Sequence, residues 1–513
     1  MPATRALLAE EMAAIELNTE FLGVSRLLQM ENAGRAVANE ILRRFKQLPT
    51  VAIFAGLGGN GGDGFVTARH LAPSCRKVHL IILGNPSTIE NKPAAINWEI
   101  IRKMRHSIEL YIVQDSSELP KLTATVVVDA LLGTGVKGKP RPPLIKTLQI
   151  MNQMEGFKIA IDIPTGIHPN TGEPTTKDAF QPDLTVTFHR AKVGLVKNKK
   201  NVGKLVVADI GIPPEAELYV GPGDVIRVTK PRPLFTKKGD FGRLLVIGGS
   251  PKFIGAPILA SIGALRSGVD LVYLAAPSHV IAAATSQSPD IIPVNLNTEK
   301  LVHDDLPLIE DTLTNVQAAL IGPGLGDHHE TLDTIGKILS ITNRLKKPLV
   351  IDADALKTVS RVMKIGPNTI ITPHAGEFKR IRGIEVAKPL LRRAQQVRDL
   401  AKTLKCVVLL KGPVDITSSS KETRLNWTGH PVMSVGGTGD VLAGLVAGFR
   451  AQGISSFLSA CVGAFTNGAA GLLAYQDKGP GLIAFDLGDY IPKVLANPMA
   501  SPIAYSRRIP VDD

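Results

Sequence analysis

The sequence predicts an α/β protein made of two successive domains, each built around a parallel sheet. Its 513 residues exceed what one hydrophobic core accommodates, because single cores stop growing at about 250–300 residues. From Val51 onward, short apolar and β-branched segments alternate with longer helical patterns, which is the order of elements in βαβ units. Together these observations predict two helix-covered sheets rather than one.

The predicted strands fall into two groups with a Gly-, Pro- and Lys-rich segment between them. The first group is VAIFAG (51–56), KVHLIILG (77–84), ATVVVDALLG (124–133), KIAIDIP (158–164) and DLTVTF (183–188). The second is RLLVIGG (243–249), DLVYLAA (270–276), AALIGPG (318–324), PLVIDAD (348–354), NTIITP (368–373) and CVVLLKG (406–412). We therefore expect a first domain over residues 1–221, a linker over 222–236 and a second domain over 237–513.

Composition and net charge narrow the classes of partner. The formal charge of +13 favours anionic ligands, but Lys and Arg are interspersed with Asp and Glu, and 4% of the residues are aromatic. Nucleic-acid binding generally needs a clustered basic surface and aromatic side chains for stacking. A small anionic ligand such as a nucleotide is therefore the better expectation, with no nucleic-acid partner.

Cysteine usage and the N-terminal pattern predict a cytoplasmic protein. Cys75, Cys406 and Cys461 fit neither a disulfide framework nor a zinc-binding spacing. The first residues form an amphipathic helical pattern rather than a signal peptide. Residues 451–476 carry no charged side chain, but their Ser, Thr, Asn and Gln residues favour a buried helix over a membrane span. We also expect a homo-oligomer.

The first candidate site is the glycine-rich loop GLGGNGGDGFV at 56–66. Gly56, Gly58 and Gly61 satisfy the G-x-G-x-x-G spacing of dinucleotide-binding folds. The next strand, however, ends without the acidic residue that holds a ribose, and Asp63 stands where a helix N-terminus would receive pyrophosphate. This disfavours an ordinary Rossmann dehydrogenase and leaves open a structural role in which Asp63 only caps a helix.

Two further aspartates follow strands of the same predicted sheet. Asp129 and Asp162 each stand at the carboxyl end of an apolar segment, and the carboxyl ends of parallel strands share one crevice. With Asp63 they make three acids close to exposed backbone amides. We expect acid–base chemistry there, around a bound cation that offsets the repulsion between the carboxylates.

Several segments of the first half resemble the NAD(P)H-hydrate epimerase domain, the YjeF N-terminal family, over about residues 1–220. They are MENAG (30–34), GGNGGDG (58–64), VDALLGTG (128–135), DIPTG (162–166) and TVTFHRAKVGL (185–195). The resemblance implies a Rossmann-like three-layer fold. It also implies an enzyme that interconverts the R and S forms of hydrated NADH or NADPH, in which the nicotinamide ring carries a hydroxyl group.

The same resemblance implies roles for individual residues. Asp162 would touch the nicotinamide and is the acid–base candidate, and a potassium ion would lie among Asn60, Asp129 and Thr165. The hydrate would contact Asn60, Gly61, Gly62, Asp63 and Asp162, and its phosphates would contact Gly133, Thr134, Gly135, Val136, Lys137, Gly138 and Lys139. The chain departs from the family at Gly59, usually asparagine, and at Thr165, usually serine. Threonine keeps the hydroxyl group, whereas Gly59 removes one polar contact.

The second candidate site is the loop SVGGTGDVL at 434–442. Its glycines and the helix that follows bring backbone N–H groups and a helix dipole to one point, where they stabilise developing negative charge. Asp440 follows directly, in a place to take a proton from a hydroxyl that attacks a phosphoryl group. The P-loop motif G-x-x-x-x-G-K-[ST] does not occur. A purely structural N-cap remains the alternative for Asp440.

Segments of the second half resemble the ribokinase-like fold, and within it the NAD(P)H-hydrate dehydratase family, over about residues 230–500. They are KGDFGRLLVIGGS (238–250), LIGPGLG (320–326), VIDADAL (350–356), TPHAGEF (372–378) and LLKGPVDI (409–416). The resemblance implies dehydration of the S hydrate driven by ADP or ATP with Mg²⁺. Phosphorylation converts the ring hydroxyl into a phosphate leaving group, which the lone pair of the ring nitrogen expels.

This second resemblance also assigns residues. The hydrate would contact Ala256, Gly324, His374 and Asp440, the nucleotide would contact Lys411, Gly412, Pro413, Val414, Asp415 and Gly439, and Asp440 would be the base. Glu377 would be an indirect Mg²⁺ ligand. The chain departs from the family at Ala375, usually proline, and at His430 and Val432, more commonly Asn and Gly. At position 432 a β-branched residue replaces one with glycine's conformational freedom.

The two resemblances together imply a bifunctional repair enzyme for damaged nicotinamide cofactors. Hydration yields both epimers and the dehydratase takes one, so that an attached epimerase supplies the substrate. The alternative from another functional class is a small-molecule or vitamin kinase of the ribokinase-like superfamily, fused to a non-catalytic nucleotide-binding module.

Overall fold

A computed structural model of the protein describes residues 5–45, 47–133, 141–229, 231–359 and 365–502. The chain divides into two compact units, Met1–Pro213 and Pro214–Asp513. Each unit contains one large sheet with its own helices. The predicted α/β class with two sheets is therefore confirmed.

The first unit has a seven-stranded parallel sheet in the order β3-β2-β1-β4-β5-β6-β7. Its strands are β1 (Thr50–Ala55), β2 (Lys77–Leu83), β3 (Ile108–Val113), β4 (Val126–Ala130), β5 (Phe157–Ile161), β6 (Leu184–Phe188) and β7 (Lys204–Ala208). The strand order changes direction between β1 and β4. In an open parallel sheet this switch point opens a crevice at the carboxyl ends of the strands.

The helices of the first unit are α1 (Ala9–Phe21), α2 (Arg26–Arg44), α3 (Gly59–Leu71), α4 (Lys92–Ile101), α5 (Leu144–Gln153) and α6 (Val193–Lys197). Local polar residues define where some of them begin. The Ser25 hydroxyl caps α2 by accepting a bond from the Leu28 N–H at 3.3 Å, and the Asn91 side chain caps α4. The helix α3 follows β1 after the glycine loop, so that its N-terminus points at the crevice.

The second unit has a nine-stranded sheet in the order β10-β9-β8-β11-β12-β13-β14-β15-β16. Its strands are β8 (Arg243–Ile247), β9 (Leu271–Ala276), β10 (Ile291–Asn295), β11 (Ala318–Ile321), β12 (Leu349–Ile351), β13 (Thr369–Ile371), β14 (Val407–Leu410), β15 (Asp415–Ser418) and β16 (Thr423–Asn426). The strands from β10 to β14 are parallel, and β15 and β16 add an antiparallel hairpin at one edge.

The helices of the second unit cover both faces of this sheet. They are α7 (Glu215–Leu218), α8 (Pro222–Val228), α9 (Gly255–Arg266), α10 (Ser278–Gln287), α11 (Leu306–Asn315), α12 (His329–Arg344), α13 (Leu356–Val359), α14 (Ala375–Arg382), α15 (Leu390–Leu404), α16 (Thr438–Ala451), α17 (Ser456–Lys478) and α18 (Leu487–Ala496). Alternate residues of β8 enter different apolar clusters, Leu245 and Ile247 on one face and Leu244 and Val246 on the other. The second unit is therefore a three-layer structure.

The boundary between the units lies earlier in the chain than predicted. Helix α8 falls within the segment 222–236 that we expected to be a linker, but it belongs to the second unit. Asp224 on α8 forms a 2.8 Å ion pair with Arg424 of β16, and the Val220 N–H donates to the Leu425 carbonyl at 2.9 Å. These contacts attach the first half of the expected linker to the edge of the second sheet.

Among the described residues, one helix is long and apolar enough to cross a membrane. It is α17, and 78% of its most apolar window is buried inside the protein. Its polar residues Ser459 and Thr466 are fully buried. The helix therefore forms part of the core of the second unit, as its serine and threonine content predicts.

Candidate active sites

The first candidate site is a cleft of about 780 Å³ in the first unit. The loop from Gly56 to Asn60 lines it at the end of β1, together with Asp63 on α3, Gly133 after β4 and Asp162 after β5. Apolar side chains such as Met30 and Phe188 form other parts of its wall. The cleft lies at the switch point of the sheet, where the sequence predicts the epimerase site.

The glycine loop owes its shape to a close approach of two backbone segments. A Cβ atom on Gly61 would lie 1.9 Å from the Gly56 carbonyl oxygen, so that a side chain cannot be placed there. Gly61 and Gly62 are buried and do not line the cleft, whereas Asn60 and Asp63 do. Of the predicted phosphate-binding segment, Gly133 lines the cleft, and Thr134, Gly135, Val136, Lys137, Gly138 and Lys139 lie outside the described residues.

The three predicted potassium ligands form one hydrogen-bonded cluster. Asp129 accepts bonds from the Thr165 N–H and the Thr165 hydroxyl, both at 2.7 Å. The Thr165 hydroxyl accepts a bond from the Leu132 N–H, and the Asn60 amide donates to the Leu132 carbonyl, both at 3.1 Å. Burial raises the pKa of Asp129 to about 6, against the hydrogen bonds from Thr165 and Leu131.

The chemistry of this cluster fits a monovalent cation. It contains one carboxylate together with neutral hydroxyl, amide and carbonyl oxygens, which are the oxygen ligands that hard cations prefer. Within the described ranges, no group of three or more His, Cys, Asp and Glu side chains is placed to hold a metal ion. A single buried carboxylate neutralises the charge of a monovalent cation, whereas a divalent cation would keep a positive charge.

Asp162 lies on the cleft in an unusual backbone conformation. Its φ of 61° falls in the left-handed region, which non-glycine residues seldom adopt. Its Oδ1 accepts bonds from the Thr187 hydroxyl at 2.9 Å and from the amine of Lys192. Lys192 occurs within the quoted segment TVTFHRAKVGL, but we assigned it no role from the sequence.

The neighbouring carboxyl group of Asp63 responds to the same charges. Burial raises its pKa well above the usual range, and the charges of Asp162 and Glu16 raise it further, while Lys192 opposes them. Asp63 therefore tends to hold a proton that a fully solvated aspartate would lose. The cleft thus places a proton donor and a carboxylate paired with lysine around one volume.

The second candidate site lies at the N-terminus of α16 in the second unit. Gly437 precedes the helix with a φ of 98°, and a Cβ atom there would lie 2.5 Å from the Leu259 side chain. The Thr438 hydroxyl donates to the Met433 carbonyl at 2.8 Å and fixes the loop. Asp440 lies in the first turn, where the helix dipole and free N–H groups favour negative charge.

Asp440 belongs to a group of buried charges. Burial, and after it the charge of Asp352, raise its pKa to about 7, while the charge of Lys411 opposes the rise. The Lys411 amine donates to Asp352 Oδ1 at 2.7 Å, and the Thr372 hydroxyl donates to the same atom at 2.7 Å. Although burial alone would lower the pKa of Lys411, the charges of Asp352 and Glu377 outweigh it and raise that pKa.

The predicted nucleotide-binding loop follows β14 and adjoins this group. Asp415 accepts bonds from the Gly412 N–H and the Asn426 amide, both at 3.0 Å, and burial raises its pKa to about 6. A Cβ atom on Gly439 would lie 3.4 Å from the Lys411 amine, so the two predicted nucleotide contacts are neighbours. Pro413 is exposed, whereas Val414 packs into the apolar core, which leaves only its backbone for a ligand.

Two of the predicted hydrate contacts, Ala256 and Gly324, are neighbours, and a third, His374, is the N-cap of helix α14. Gly324 has a φ of 68° and approaches Ala256, because a Cβ atom on Gly324 would lie 3.4 Å from that of Ala256. His374 caps α14 through Nδ1, which accepts the Gly376 N–H at 3.0 Å, yet 59% of its side chain is exposed. The Glu377 carboxylate accepts the His374 N–H at 2.8 Å, and its pKa is raised chiefly by burial.

The departures at His430 and Val432 are accommodated without strain. Val432 lies in a short 3₁₀ helix, Pro431–Ser434, and does not adopt the left-handed conformation that would require glycine. Its N–H donates to His430 Nδ1 at 3.2 Å, and the His430 ring stacks on Tyr475 with ring centroids 3.8 Å apart. Position 432 therefore does not require glycine's conformational freedom in this loop, contrary to the expectation from the sequence.

Two charged residues of these sites were missed by reasoning from the sequence. Asp352 stands at the end of β12, so that the strand-end criterion that selected Asp129 and Asp162 would also have selected it. Lys192 precedes α6 and has no such pattern, because a lysine between a strand and a helix is usually a surface residue. Its burial depends on tertiary packing.

Two family profiles match the chain in the order of its two units. One is described as YjeF-related protein N-terminus and matches residues 28–194, and the other is described as NAD(P)H-hydrate dehydratase and matches residues 244–493. Together with the sheet topologies, these matches confirm a Rossmann-like domain followed by a ribokinase-like α/β domain.

Relatives with both parts cover nearly the whole chain. The bifunctional NAD(P)H-hydrate repair enzyme Nnr of Hyperthermus butylicus is 42% identical, over 99% of this chain and 94% of the relative. The protein of the same name from Methanothermobacter thermautotrophicus is 43% identical, over 94% of each chain.

Among solved structures, the ADP/ATP-dependent NAD(P)H-hydrate dehydratase of Bacillus subtilis, co-crystallised with ATP and Mg²⁺, is 25% identical, with a TM-score of 0.47. The match covers 55% of this chain and 98% of that one. From the family profiles and the nearly full-length relatives, the chain belongs to the family of bifunctional NAD(P)H-hydrate repair enzymes.

Proposed function

We propose that the cleft around Asp162 epimerises hydrated NADH or NADPH, and that the site around Asp440 dehydrates the S form with ADP or ATP. The two activities follow from membership of the family, and we assign each of them to particular residues of this chain. The observation that carries it is Asp440, a carboxyl group with a pKa of about 7 at the N-terminus of α16 beside the Lys411 amine. A group that titrates near neutral pH is suited to accept and release a proton.

In the dehydratase site, Asp440 takes the proton of the ring hydroxyl as its oxygen attacks the terminal phosphoryl group of the nucleotide. A new P–O bond forms, and the bond to the shortened nucleotide breaks. The lone pair of the ring nitrogen then breaks the C–O bond and expels phosphate, and loss of a proton from the adjacent ring carbon restores the reduced nicotinamide. The backbone N–H groups at the start of α16 and the Lys411 amine stabilise negative charge during transfer.

Magnesium fits this site as a partner of the nucleotide rather than of a protein cage. The described residues hold no cluster of acidic and histidine ligands, and Mg²⁺ commonly binds through phosphates, waters and one or two carboxylates. The carboxyl groups that interact with the Lys411 amine are Asp352, which is bonded to it, Glu377, and Asp440 before it accepts a proton. When bound, the ion would reduce the negative charge of the phosphates.

In the epimerase cleft, Asp63 and Asp162 act as a donor and an acceptor of protons. Asp63 protonates the departing hydroxyl group as the ring nitrogen forms an iminium, so that the C–O bond breaks and water is released. Water then adds to the opposite face of the ring while Asp162 accepts its proton. Return of that proton to Asp63 through solvent completes the cycle with no net change other than configuration.

Potassium would bind at Asn60, which lines the cleft, and at the buried Asp129 and Thr165. When bound, it would supply positive charge near the two carboxyl groups.

The homo-oligomeric state, the cytoplasmic location and the lack of a nucleic-acid partner stay predictions from the sequence. The alternative of a vitamin kinase with a non-catalytic module is set aside, because relatives with both domains are repair enzymes.

The test is an assay of the purified full chain with separate R and S hydrates. Without nucleotide, we expect R to convert to S at a rate well above that in buffer. With ADP or ATP, we expect the S hydrate to regain the absorbance of reduced nicotinamide, and one equivalent of phosphate to appear. Phosphorylated hydrate that accumulates without reduced nicotinamide would instead identify a simple kinase.

A further inference from the structure

The amine of Lys192 is enclosed by the first unit although it has no assigned role. The residue is 1% exposed and ranks among the largest fully buried side chains of the described part of the protein. Burying an ammonium group is strongly unfavourable unless it is paired and hydrogen-bonded. The first unit therefore contains a specific set of partners for this amine.

Those partners use all three N–H groups of the ammonium. Lys192 donates to Asp162 Oδ1, to the Thr187 hydroxyl at 3.0 Å and to the Phe188 carbonyl at 3.4 Å. Thr187 also donates to Asp162 Oδ1, so that the three side chains form a closed triangle. Both donors reach the same carboxylate oxygen, neither bonds to Oδ2, and Asp162 lines the cleft.

The backbone on both sides of Lys192 is also fixed. Leu7, in the segment before α1, forms a parallel bridge with Lys192, in which the Leu7 N–H donates to the Ala191 carbonyl at 2.9 Å. The Val193 N–H donates to the Leu7 carbonyl, also at 2.9 Å. The amine therefore projects from a pinned segment, and its position does not depend on a flexible loop.

Asp162 shows independently that its carboxylate is held in a defined place. Its left-handed φ of 61° is stabilised by a bond from its own N–H to the Val186 carbonyl of β6 at 2.8 Å. Strained residues of this kind concentrate at functional sites, where the surrounding structure maintains them. The bond from Lys192 connects the side chain of this strained residue to the strand that supports its backbone.

We propose that Lys192 is a positioning residue of the epimerase site, which holds Asp162 through Oδ1 so that Oδ2 faces the hydroxyl-bearing carbon of the nicotinamide ring. This inference rests on the proposed epimerase function of the cleft. The lysine does not touch the substrate, and it acts through Asp162.

The charges around the cleft explain why the positioning group is a cation. Asp63 on α3, Glu16 on α1, Arg26 on α2 and Arg141 before α5 line the cleft with Asp162, and Arg26 is ion-paired with Glu16. The carboxyl groups of Asp63 and Asp162 therefore face one volume, and Lys192 interacts with both. A neutral residue at position 192 would remove a positive charge that interacts with both carboxyl groups.

The test is a double-mutant cycle on the full chain, measured as conversion of the R hydrate without nucleotide. Lys192→Met should lower kcat by about 100-fold with KM within a few-fold of the wild type, because an orienting and not a binding group is lost. The basic limb of its pH–rate profile should move to higher pH, because the charge of Lys192 opposes the rise in the pKa of Asp63, the proposed proton donor. Lys197→Met, an exposed lysine on α6, is the matched control and should behave as the wild type.

The double variant separates positioning from mere support of the fold. If Lys192 acts through Asp162, adding Lys192→Met to Asp162→Asn should cause no further loss of activity. The double variant also contains no Asp162 carboxylate that would be left without its lysine partner. Should Lys192→Met lower the melting temperature of the first unit, Lys192→Gln, which keeps an uncharged N–H donor, takes its place in the cycle. Activity close to wild type in the single variant, or an equal loss in both backgrounds, would overturn the inference. If the wild type itself fails to convert the R hydrate, the epimerase assignment is wrong, which is a separate result.

Discussion

The two sites use similar charges in opposite ways. In the first unit, the lysine–aspartate pair Lys192–Asp162 lies on the cleft, and the aspartate of the glycine loop, Asp63, is the group driven toward the protonated form. In the second unit, the pair Lys411–Asp352 involves a carboxylate that is almost fully buried, and the aspartate of the glycine loop, Asp440, is the proposed base.

A glycine loop followed by an aspartate therefore does not by itself determine whether the aspartate donates or accepts a proton. In both units the loop aspartate is the carboxyl group that is not paired with lysine, and its pKa is raised, so the direction depends on the hydroxyl group that each aspartate meets in the proposed reaction. In the first unit the unpaired group starts with a proton to give, which suits a departing hydroxyl. In the second unit the unpaired group has a pKa of about 7 and readily accepts one.

The variant Asp440→Asn should have the largest effect, because it removes the base and keeps the shape of the loop. We expect dehydration of the S hydrate to fall by about 1,000-fold or more. Nucleotide binding, measured by calorimetry, should stay close to wild type, and conversion of R to S without nucleotide serves as the internal control. Normal dehydration by this variant would refute the role of Asp440.

Asp162→Asn is the reciprocal change in the first unit. It should lower conversion of the R hydrate by about 100- to 1,000-fold and leave dehydration of purified S hydrate unchanged. With an equal mixture of hydrates and ADP, reduced nicotinamide should then stop near half of the total, apart from slow uncatalysed epimerisation. A complete yield at the normal rate would show that the first unit does not carry the epimerase.

The sequence predicted the central strands of both sheets and missed the edges. The predicted segments correspond to β1, β2, β4, β5 and β6 and to β8, β9, β11, β12, β13 and β14. Four of the missed strands, β3, β7, β10 and β16, lie at the edges of the sheets, and the fifth, β15, is the neighbour of β16. Edge strands have exposed positions, as in β3 and β7, and so lack the continuous apolar pattern that identifies a buried strand.

The residues of the first candidate site also divide into those that the sequence could place together and one that it could not. Asp63, Asp129 and Asp162 could be placed together from the sequence, because strand ends and helix N-termini converge at one edge of a parallel sheet. Lys192 could not, because its amine reaches Asp162 only through the packing of Leu7 and β6 around it. The acids were therefore predictable from the sequence, whereas the cation that decides between their roles was not.

Gly61→Ala should destabilise the first unit and leave the stability of the second unchanged. The added methyl group would lie 1.9 Å from the Gly56 carbonyl oxygen, and overpacking of this kind costs about 3 kcal/mol or more. We expect a lower melting temperature for the first unit and loss of R-hydrate conversion, with dehydration retained. Gly59→Ala is the matched control in the same loop, since its methyl group would meet only the Asn91 amide at 3.8 Å. Equal melting temperatures for the two variants would contradict the close approach.

Asp352→Asn should shift the pH dependence of the second site. Because burial and then the charge of Asp352 raise the pKa of Asp440 to about 7, dehydration should slow as the pH falls below that value. Removing the charge of Asp352 should move this acidic limb to lower pH by about one unit. Asp354→Asn should give a smaller shift in the same direction, because Asp354 has a weaker influence on Asp440. An unchanged limb in the Asp352 variant would show that Asp440 is not the titrating group.

Substitution of Thr165 should have the smallest effect. It tests whether the two sites differ in their need for potassium, because the proposed potassium site belongs to the first unit alone. The Thr165 hydroxyl donates to Asp129 and is one of three proposed oxygen ligands. Thr165→Val should therefore reduce the stimulation of R-hydrate conversion by KCl relative to choline chloride several-fold, whereas Thr165→Ser should keep it. Dehydration measured with purified S hydrate should respond equally to KCl in all three proteins. If the wild-type epimerase rate is the same in both salts, Asp129 is balanced by its hydrogen bonds alone, and the two sites differ only in how lysine is paired.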